Sequence, residues 1–533
     1  MMENSMLTEE VIAAREAVAE PQETCRYQQK WFDKHHLKKN LKEQSVKGGF
    51  STLGSQMIMF VLTIGSNMIL ARLLAPEYFG LVAMVTAFTG VVTIFSDLGL
   101  STAIIQKEAI NHRQVSAVFW INAGITTAIA LVLALLAPVL VGFYHEERLL
   151  RITLAFAGGI FLSGLGLQHS ALMKRQMRFK ALSLVQIAST AAGVLAAVLL
   201  AWAGFGYWAI VAVNVLPQAF LTLFLWMACD WRPGFYLKAA NLRSILGFGA
   251  GITGFDLVNY FSRNMDNMLI GRFVGSAGLG LYSKAYQLLM LPINQLRNPL
   301  NTVALPALSS LQSDPGKFAA FFRRYVFTLA FFSMPVVVFL GVFSNEVILM
   351  VLGPQWVEAG LIFKILAIPA FVQPIAGAQG LVLITTGKVK KYFRIGLVNS
   401  FFTVLSFCVG IQWGVTGVAL AYAGVTWLLL FPSVYFCFRG TPVSLGLFVR
   451  ETALPALFAV GSGGVMLGVK GLTGSWPVPL VCAAGGAAGG LMYLLLWQMG
   501  PACKGRFRQI LEMGDMIRKK GNPSPAPAGG AAQ

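Results

Sequence analysis

Asn67-Met68-Ile69-Leu70-Ala71-Arg72, followed shortly by Gly80-Leu81, returns two hundred residues later as Asn267-Met268-Leu269-Ile270-Gly271-Arg272, followed at the same distance by Gly280-Leu281. Gly49 and Gly249 keep that offset, and no gap is needed to hold it. The matched residues include an amide, a guanidinium and glycines, which are not the types that chance similarity between apolar helices reproduces. The pattern reads as an internal duplication whose copies each open on a pair of apolar segments. Six such segments separate the two starts. An even number means that both copies run the same way through a bilayer, as halves related by a pseudo-two-fold axis along the membrane normal.

Composition points to the same setting. Of 533 residues, 56% are apolar and only 12% charged, against about 25% charged in a soluble domain. A globular core cannot absorb so much apolar side chain, because surface scales against volume. A bilayer can, and apolar runs of about 17 to 25 residues recur along the chain, the length that crosses a hydrocarbon core. The spans are predicted near 50–70, 80–98, 115–143, 152–172, 182–203 and 206–228, then 246–270, 278–305, 325–344, 357–384, 393–412 and 414–437, with a last pair at 450–470 and 476–498. The expectation is an all-α polytopic membrane protein of about fourteen transmembrane helices, with two six-helix lobes and two C-terminal helices. Its parts are an N-terminal arm (1–46), a first lobe (47–229), a linker (230–245), a second lobe (246–440), the added pair (441–500), and a basic segment with a Pro/Ala/Gly tail (501–533).

The formal charge of +19 would suggest nucleic acid in a soluble protein. Here its distribution argues for topology instead. Lys174, Arg175, Arg178 and Lys180 crowd one connection, and Lys388, Lys390, Lys391 and Arg394 another. The connections on the opposite side hold only Arg72, Arg148, Arg151, Arg272 and Lys470. Lys and Arg mark the cytoplasmic side, so both termini are expected there, in the cell inner membrane. Lys34, His35, His36, Lys38, Lys39 and Lys42 form a basic cluster in the arm, expected to lie against anionic headgroups. The cysteines (Cys25, Cys229, Cys408, Cys437, Cys482 and Cys503) form no CxxC pair or metal spacing. The arm has no apolar run of the secretory kind. Nucleotide, zinc-protease and serine-hydrolase motifs are missing, so neither an enzyme nor a cofactor or metal is expected.

Charged residues at membrane depth then stand out, because each costs roughly 2.5 to 3.5 kcal/mol facing lipid at the centre of a span. Arg263, Lys284, Arg297 and Lys364 fall inside spans, as do Asp97, Asp256 and Asp266. Lys364 sits close enough to the end of its span to snorkel. Asp256, Tyr260, Arg263 and Asn267 step by four, three and four, one face of a helix. Lys284, Gln287, Leu291, Asn294, Asn298 and Asn301 step by three or four throughout, with Arg297 beside them. Together these stripes would form a wet, cationic wall, or else make structural polar contacts between helices. Asp97 and Arg297 hold matching places in the repeat. They would close an inner gate as a charge pair, or each would pair within its own lobe. Asp97, Asp256 and Asp266 are the visible candidates for coupling to H+ or Na+. Pro292 and Pro299 are expected to interrupt one span, Pro369 and Pro374 another.

Gly48-Gly49-Phe50 through Ala71-Arg72-Leu73-Leu74, then Pro76-Glu77-Tyr78-Phe79-Gly80-Leu81 and Ser96-Asp97-Leu98-Gly99-Leu100, resembles the bacterial polysaccharide exporters of the Wzx type. These belong to the multidrug/oligosaccharidyl-lipid/polysaccharide exporter superfamily. Met173-Lys174-Arg175-Gln176-Met177-Arg178-Phe179 and Leu281-Tyr282-Ser283-Lys284-Ala285-Tyr286-Gln287-Leu288 are similar to its lipopolysaccharide or colanic-acid exporters. The resemblance covers residues 45 to 440. It implies two lobes around a central cavity and transfer of an undecaprenyl-diphosphate-linked oligosaccharide between leaflets by alternating access. A polymerase and other polysaccharide assembly proteins would be its partners. The charge pattern agrees in kind. Arg263, Lys284 and Arg297 suit a diphosphate, while Tyr260, Asn267, Gln287, Asn294 and Asn298 suit sugar hydroxyls. The rival readings are a cation-coupled multidrug exporter, a lipid II flippase of the same superfamily, and a scaffold that transports nothing.

Overall fold

The computed structural model describes residues 31–32, 41–94, 100–106, 110–235, 260–261, 263–501 and 503–507. Among them all regular structure is helical. The first helices are α1 (Leu41–Leu73), α2 (Pro76–Ile94), α3 (Leu100–Gln106), α4 (His112–Tyr144), α5 (Arg148–Gly164), α6 (Leu167–Arg175), α7 (Phe179–Trp202) and α8 (Tyr207–Ala228). Helical turns over 263–273 form α9. There follow α10 (Ser276–Ser310), α11 (Pro315–Val342), α12 (Ser344–Val351), α13 (Ala359–Ala370), α14 (Gln373–Ala376), α15 (Ala378–Thr385), α16 (Val389–Gly410), α17 (Gly414–Phe438), α18 (Leu445–Leu472) and α19 (Val478–Leu496). Ten helical runs among the described residues are long and apolar enough to cross a membrane, and one of them, 389–438, is α16 and α17 in succession. The protein is thus a multi-pass membrane protein. Leu135, Trp202, Leu428 and Leu457 are among many exposed large apolar side chains, a surface that lipid covers.

Local signals set several helix starts. Asn111 and Gln114 form a capping box at α4, each side chain accepting from the other's backbone N–H. Asp314 caps α11 ahead of Pro315, a residue whose missing N–H suits the first helical turn. The expected break at Pro369 and Pro374 is present, dividing one span into α13, α14 and α15. The expected interruption at Pro292 and Pro299 is not: α10 runs unbroken through Pro292, Pro299 and Pro306. Their seven-residue spacing places the three freed carbonyls along one side, near exposed Gln295 and Thr302.

The chain divides into two compact units, 1–280 and 281–533. That boundary lies inside α10, beyond the linker expected at 230–245. The cause is the packing of α9 and the first turn of α10 onto α2. A Cβ built on Gly80 would overlap the Ser276 carbonyl oxygen and stand 2.9 Å from the Gly280 nitrogen. A Cβ built on Gly280 would overlap the Pro76 carbonyl oxygen and stand 3.2 Å from the Gly80 nitrogen. The contact is reciprocal, and its members differ by the offset of the repeat. Only glycine permits backbones to approach so closely.

Within the first unit, α7 packs along α8, α4 along α5, and α1 along α7. One end is sealed by aromatic side chains. Trp31, Phe119, Leu172, Met173 and Trp231 are buried together. Trp31 is 1% exposed; its carbonyl accepts from Gln176 Nε2 at 2.8 Å, and the Arg178 guanidinium lies 4.7 Å above its ring. His169 stacks on Trp226 at 4.6 Å, and Trp231 Nε1 donates to His112 Nδ1 at 3.1 Å. Part of the N-terminal arm is therefore core; of its basic cluster, Lys34, His35, His36, Lys38 and Lys39 lie outside the described residues, and Lys42 falls in the first turn of α1. Within the second unit, α11 packs on α18, α18 on α19, and α16 on α17. Phe318, Phe322, Phe331, Phe438, Tyr493 and Trp497 fill its core. The Lys470–Glu346 ion pair, 2.8 Å, ties the C-terminal pair to α12.

Candidate functional site

α10 owes its character to two opposed stripes. Tyr282, Ala285, Leu289, Ile293, Ala304 and Leu308 are buried and step mostly by three or four along one face. Gln287, Gln295, Asn298 and Thr302 are exposed. Amides facing hydrocarbon without partners are costly, so these four set this side of α10 apart from its buried apolar stripe. Lys284 Nζ donates to Gln287 Oε1 at 3.0 Å, which orients the ammonium along the helix. One turn before Arg297, Asn294 has a buried Oδ1 with no hydrogen bond; Arg297 itself is half-buried, with its Nε buried and likewise unbonded. Arg297 has no acidic partner among the described residues. Farther on, the Tyr325 hydroxyl donates to Asn301 Oδ1 in a short bond.

The other expected site residues lie in the first unit or outside the description. Tyr260 is spent on packing: its hydroxyl donates to the Thr86 carbonyl at 2.9 Å, and its ring occupies the space a side chain at Gly90 would need. Arg263 is exposed. Asp266 is buried, and one of its carboxylate oxygens accepts from the Asn267 backbone N–H at 2.8 Å. Asp97 and Asp256 lie outside the described residues. In the second unit the structure thus brings Lys284 to Gln287 and sets Asn294 beside Arg297 and Asn298 on one helix.

Sequence periodicity missed the groups opposite this stripe. Gln373 opens α14, in the break between α13 and α15, and its Nε2 donates to the Tyr422 hydroxyl in a short bond and to the Tyr286 hydroxyl at 3.4 Å. Its Oε1 is buried without a partner. Arg297 Nη1 approaches the same break, 3.6 Å from where a Cβ on Gly377 would stand. The prolines were the available signal, but a helix break says nothing about which residue it exposes.

The helical architecture has the fold of solved membrane transporters. It is similar to a solved lipid II flippase MurJ in an inward closed conformation (TM-score 0.68, 14% identity, 85% of this chain and 98% of that one). It is also similar to an inward-facing multidrug resistance MATE family transporter (TM-score 0.55, 13% identity, 75% and 95%). The profile of the polysaccharide biosynthesis protein family matches residues 69–361, more than half of the sequence, and the chain belongs to that family. Among its relatives are the teichuronic acid biosynthesis protein TuaB of Bacillus subtilis (28% identity, 76% of this chain and 84% of the relative) and the lipopolysaccharide biosynthesis protein WzxC of Escherichia coli (23%, 72% and 78%). The succinoglycan biosynthesis transport protein ExoT of Rhizobium meliloti is 25% identical over 92% of this chain and 99% of its own. The resemblance to Wzx-type exporters read from the sequence is borne out at the level of the family.

Proposed function

We propose that this protein is a fourteen-span flippase. It carries an undecaprenyl-diphosphate-linked oligosaccharide across the cytoplasmic membrane for lipopolysaccharide, capsule or exopolysaccharide assembly, with both termini in the cytoplasm. The observation that carries the reading is Arg297, half-buried on a helix with an exposed amide face and without an acidic partner among the described residues. A guanidinium at membrane depth calls for an anion, and a diphosphate supplies oxygens that match its fork of N–H donors. Lys284 adds a second cation on the same helix; Arg263, exposed in the first unit, is a separate candidate. The amides serve sugar hydroxyls by hydrogen bonding alone. No bond of the substrate is made or broken, so the task is transport without enzymatic chemistry.

The test is complementation of a strain lacking the gene. Arg263→Gln, Lys284→Gln and Arg297→Gln are expected to abolish surface polymer while membrane levels of the protein stay normal. Normal polymer in all three variants would overturn the reading. Rescue of cells depleted of their lipid II flippase would favour the cell-wall alternative, and drug efflux the multidrug one.

A further inference from the structure

The break at 371–377 brings unlike groups against α10. Gln373 is held by two tyrosine hydroxyls, Tyr286 from α10 and Tyr422 from α17. Both hydroxyls are occupied on its nitrogen, so the amide is fixed with Oε1 outward from that clamp, and Oε1 is buried without a hydrogen bond. Asn294 Oδ1 and Arg297 Nε are in the same condition. Two carbonyl acceptors and one cationic donor are thus unpaired along one helix and the break that faces it. Buried polar atoms seldom stay so; they await a ligand or ordered water.

We infer that Gln373, clamped by Tyr286 and Tyr422, forms a sugar subsite adjoining Arg297, and that it recognises the sugar attached to the diphosphate. The inference rests on the proposed function above and names residues within it. A sugar hydroxyl donates to Gln373 Oε1 and another to Asn294 Oδ1. Arg297 donates to a phosphate oxygen beside them, through charge-assisted bonds. The tyrosine rings add flat apolar faces to the polar edge. Because an amide in a fixed pose rejects a ligand that leaves it unpaired, the clamp confers selectivity for a glycosylated lipid over the bare diphosphate.

The experiment measures binding to the full-length protein in lipid vesicles with two probes. One is undecaprenyl diphosphate. The other is the undecaprenyl-diphosphate-linked glycan purified from cells depleted of this protein. Gln373→Ala is expected to weaken binding of the glycan lipid about tenfold and leave undecaprenyl diphosphate unchanged. Tyr422→Phe, which removes one hydroxyl and keeps the ring, is expected to shift the same probe in the same direction by less. Arg297→Gln is expected to weaken both probes. Equal losses for both probes in Gln373→Ala and Tyr422→Phe would make the clamp structural, and no loss for either would make its orphaned oxygen a water site; both outcomes overturn the subsite. Unchanged binding of undecaprenyl diphosphate by Arg297→Gln would instead overturn the cationic site, while a sugar-selective loss at Gln373 would keep the subsite standing.

Discussion

At the head of α2, residue 76 offers its carbonyl to Gly280; at the head of α10, residue 276 offers its carbonyl to Gly80. One crossing has been written twice. A turn beyond it the copies part. The first carries Met84 and Ala87, both buried at 2% exposure. The second carries Lys284, half-buried, and Gln287, exposed, at the same offsets and hydrogen-bonded to each other. Duplication kept the part that depends on backbone approach, which tolerates no side chain. The side chains past it diverge, apolar and buried in the first copy and polar in the second.

That comparison can be broken in several ways. The largest effect is expected from Gly80→Leu or Gly280→Leu, because either side chain would displace a carbonyl oxygen on the opposite helix. Overpacking costs about 1–3 kcal/mol where side chains can yield; here a backbone carbonyl stands in the way and cannot yield, so the crossing is expected to be lost outright. Both variants should lose cooperative unfolding in detergent to a similar degree; a large loss in one and none in the other would refute the reciprocity.

A smaller and opposite pair of effects is expected one turn on. Met84→Ala should cost about 2–5 kcal/mol of stability, as a buried methionine does. Lys284→Ala should leave unfolding near wild type and lower surface polymer. Reversal of that pattern would mean that the polar copy is structural.

The smallest effect concerns the connection between α4 and α5. Arg148 binds Glu146 and Glu77, at 2.8 and 2.6 Å, and is itself partly exposed. Its hydrogen bond holds the Glu146 carboxyl below the usual carboxylate range, against a smaller opposing push from burial. A depressed acid lends stability above its unfolded pKa and loses it as the pH falls through the folded one. Acidification below about pH 4, the ordinary glutamate range, should therefore destabilise the wild type more than Arg148→Ala. The substitution itself should cost under about 1 kcal/mol at neutral pH, as expected for a pair near the surface.

Much of this was legible in the sequence. The crossing was visible because glycine and its neighbours recur at one offset, and the polar stripe of α10 because charged and amide residues recur at helical spacing. Tyr260 fitted the stripe of its own helix equally well, yet its hydroxyl is taken by Thr86. Spacing reports which face a residue shares and not what that face meets. Gln373 was silent because its meaning depends on α10 and α17, elements distant in sequence. Trp31 was silent because the arm around it is polar, so a local average hides one indole.

That indole alters what a truncation does. Removing residues up to 30 and removing residues up to 32 differ by two positions in length but not in kind. The second cut withdraws a buried ring from among Leu172, Met173 and Trp231, and leaves the Arg178 guanidinium and the Gln176 amide facing a hole. The first leaves the plug in its socket. For anyone shortening or tagging this protein, position 31 already belongs to the buried core.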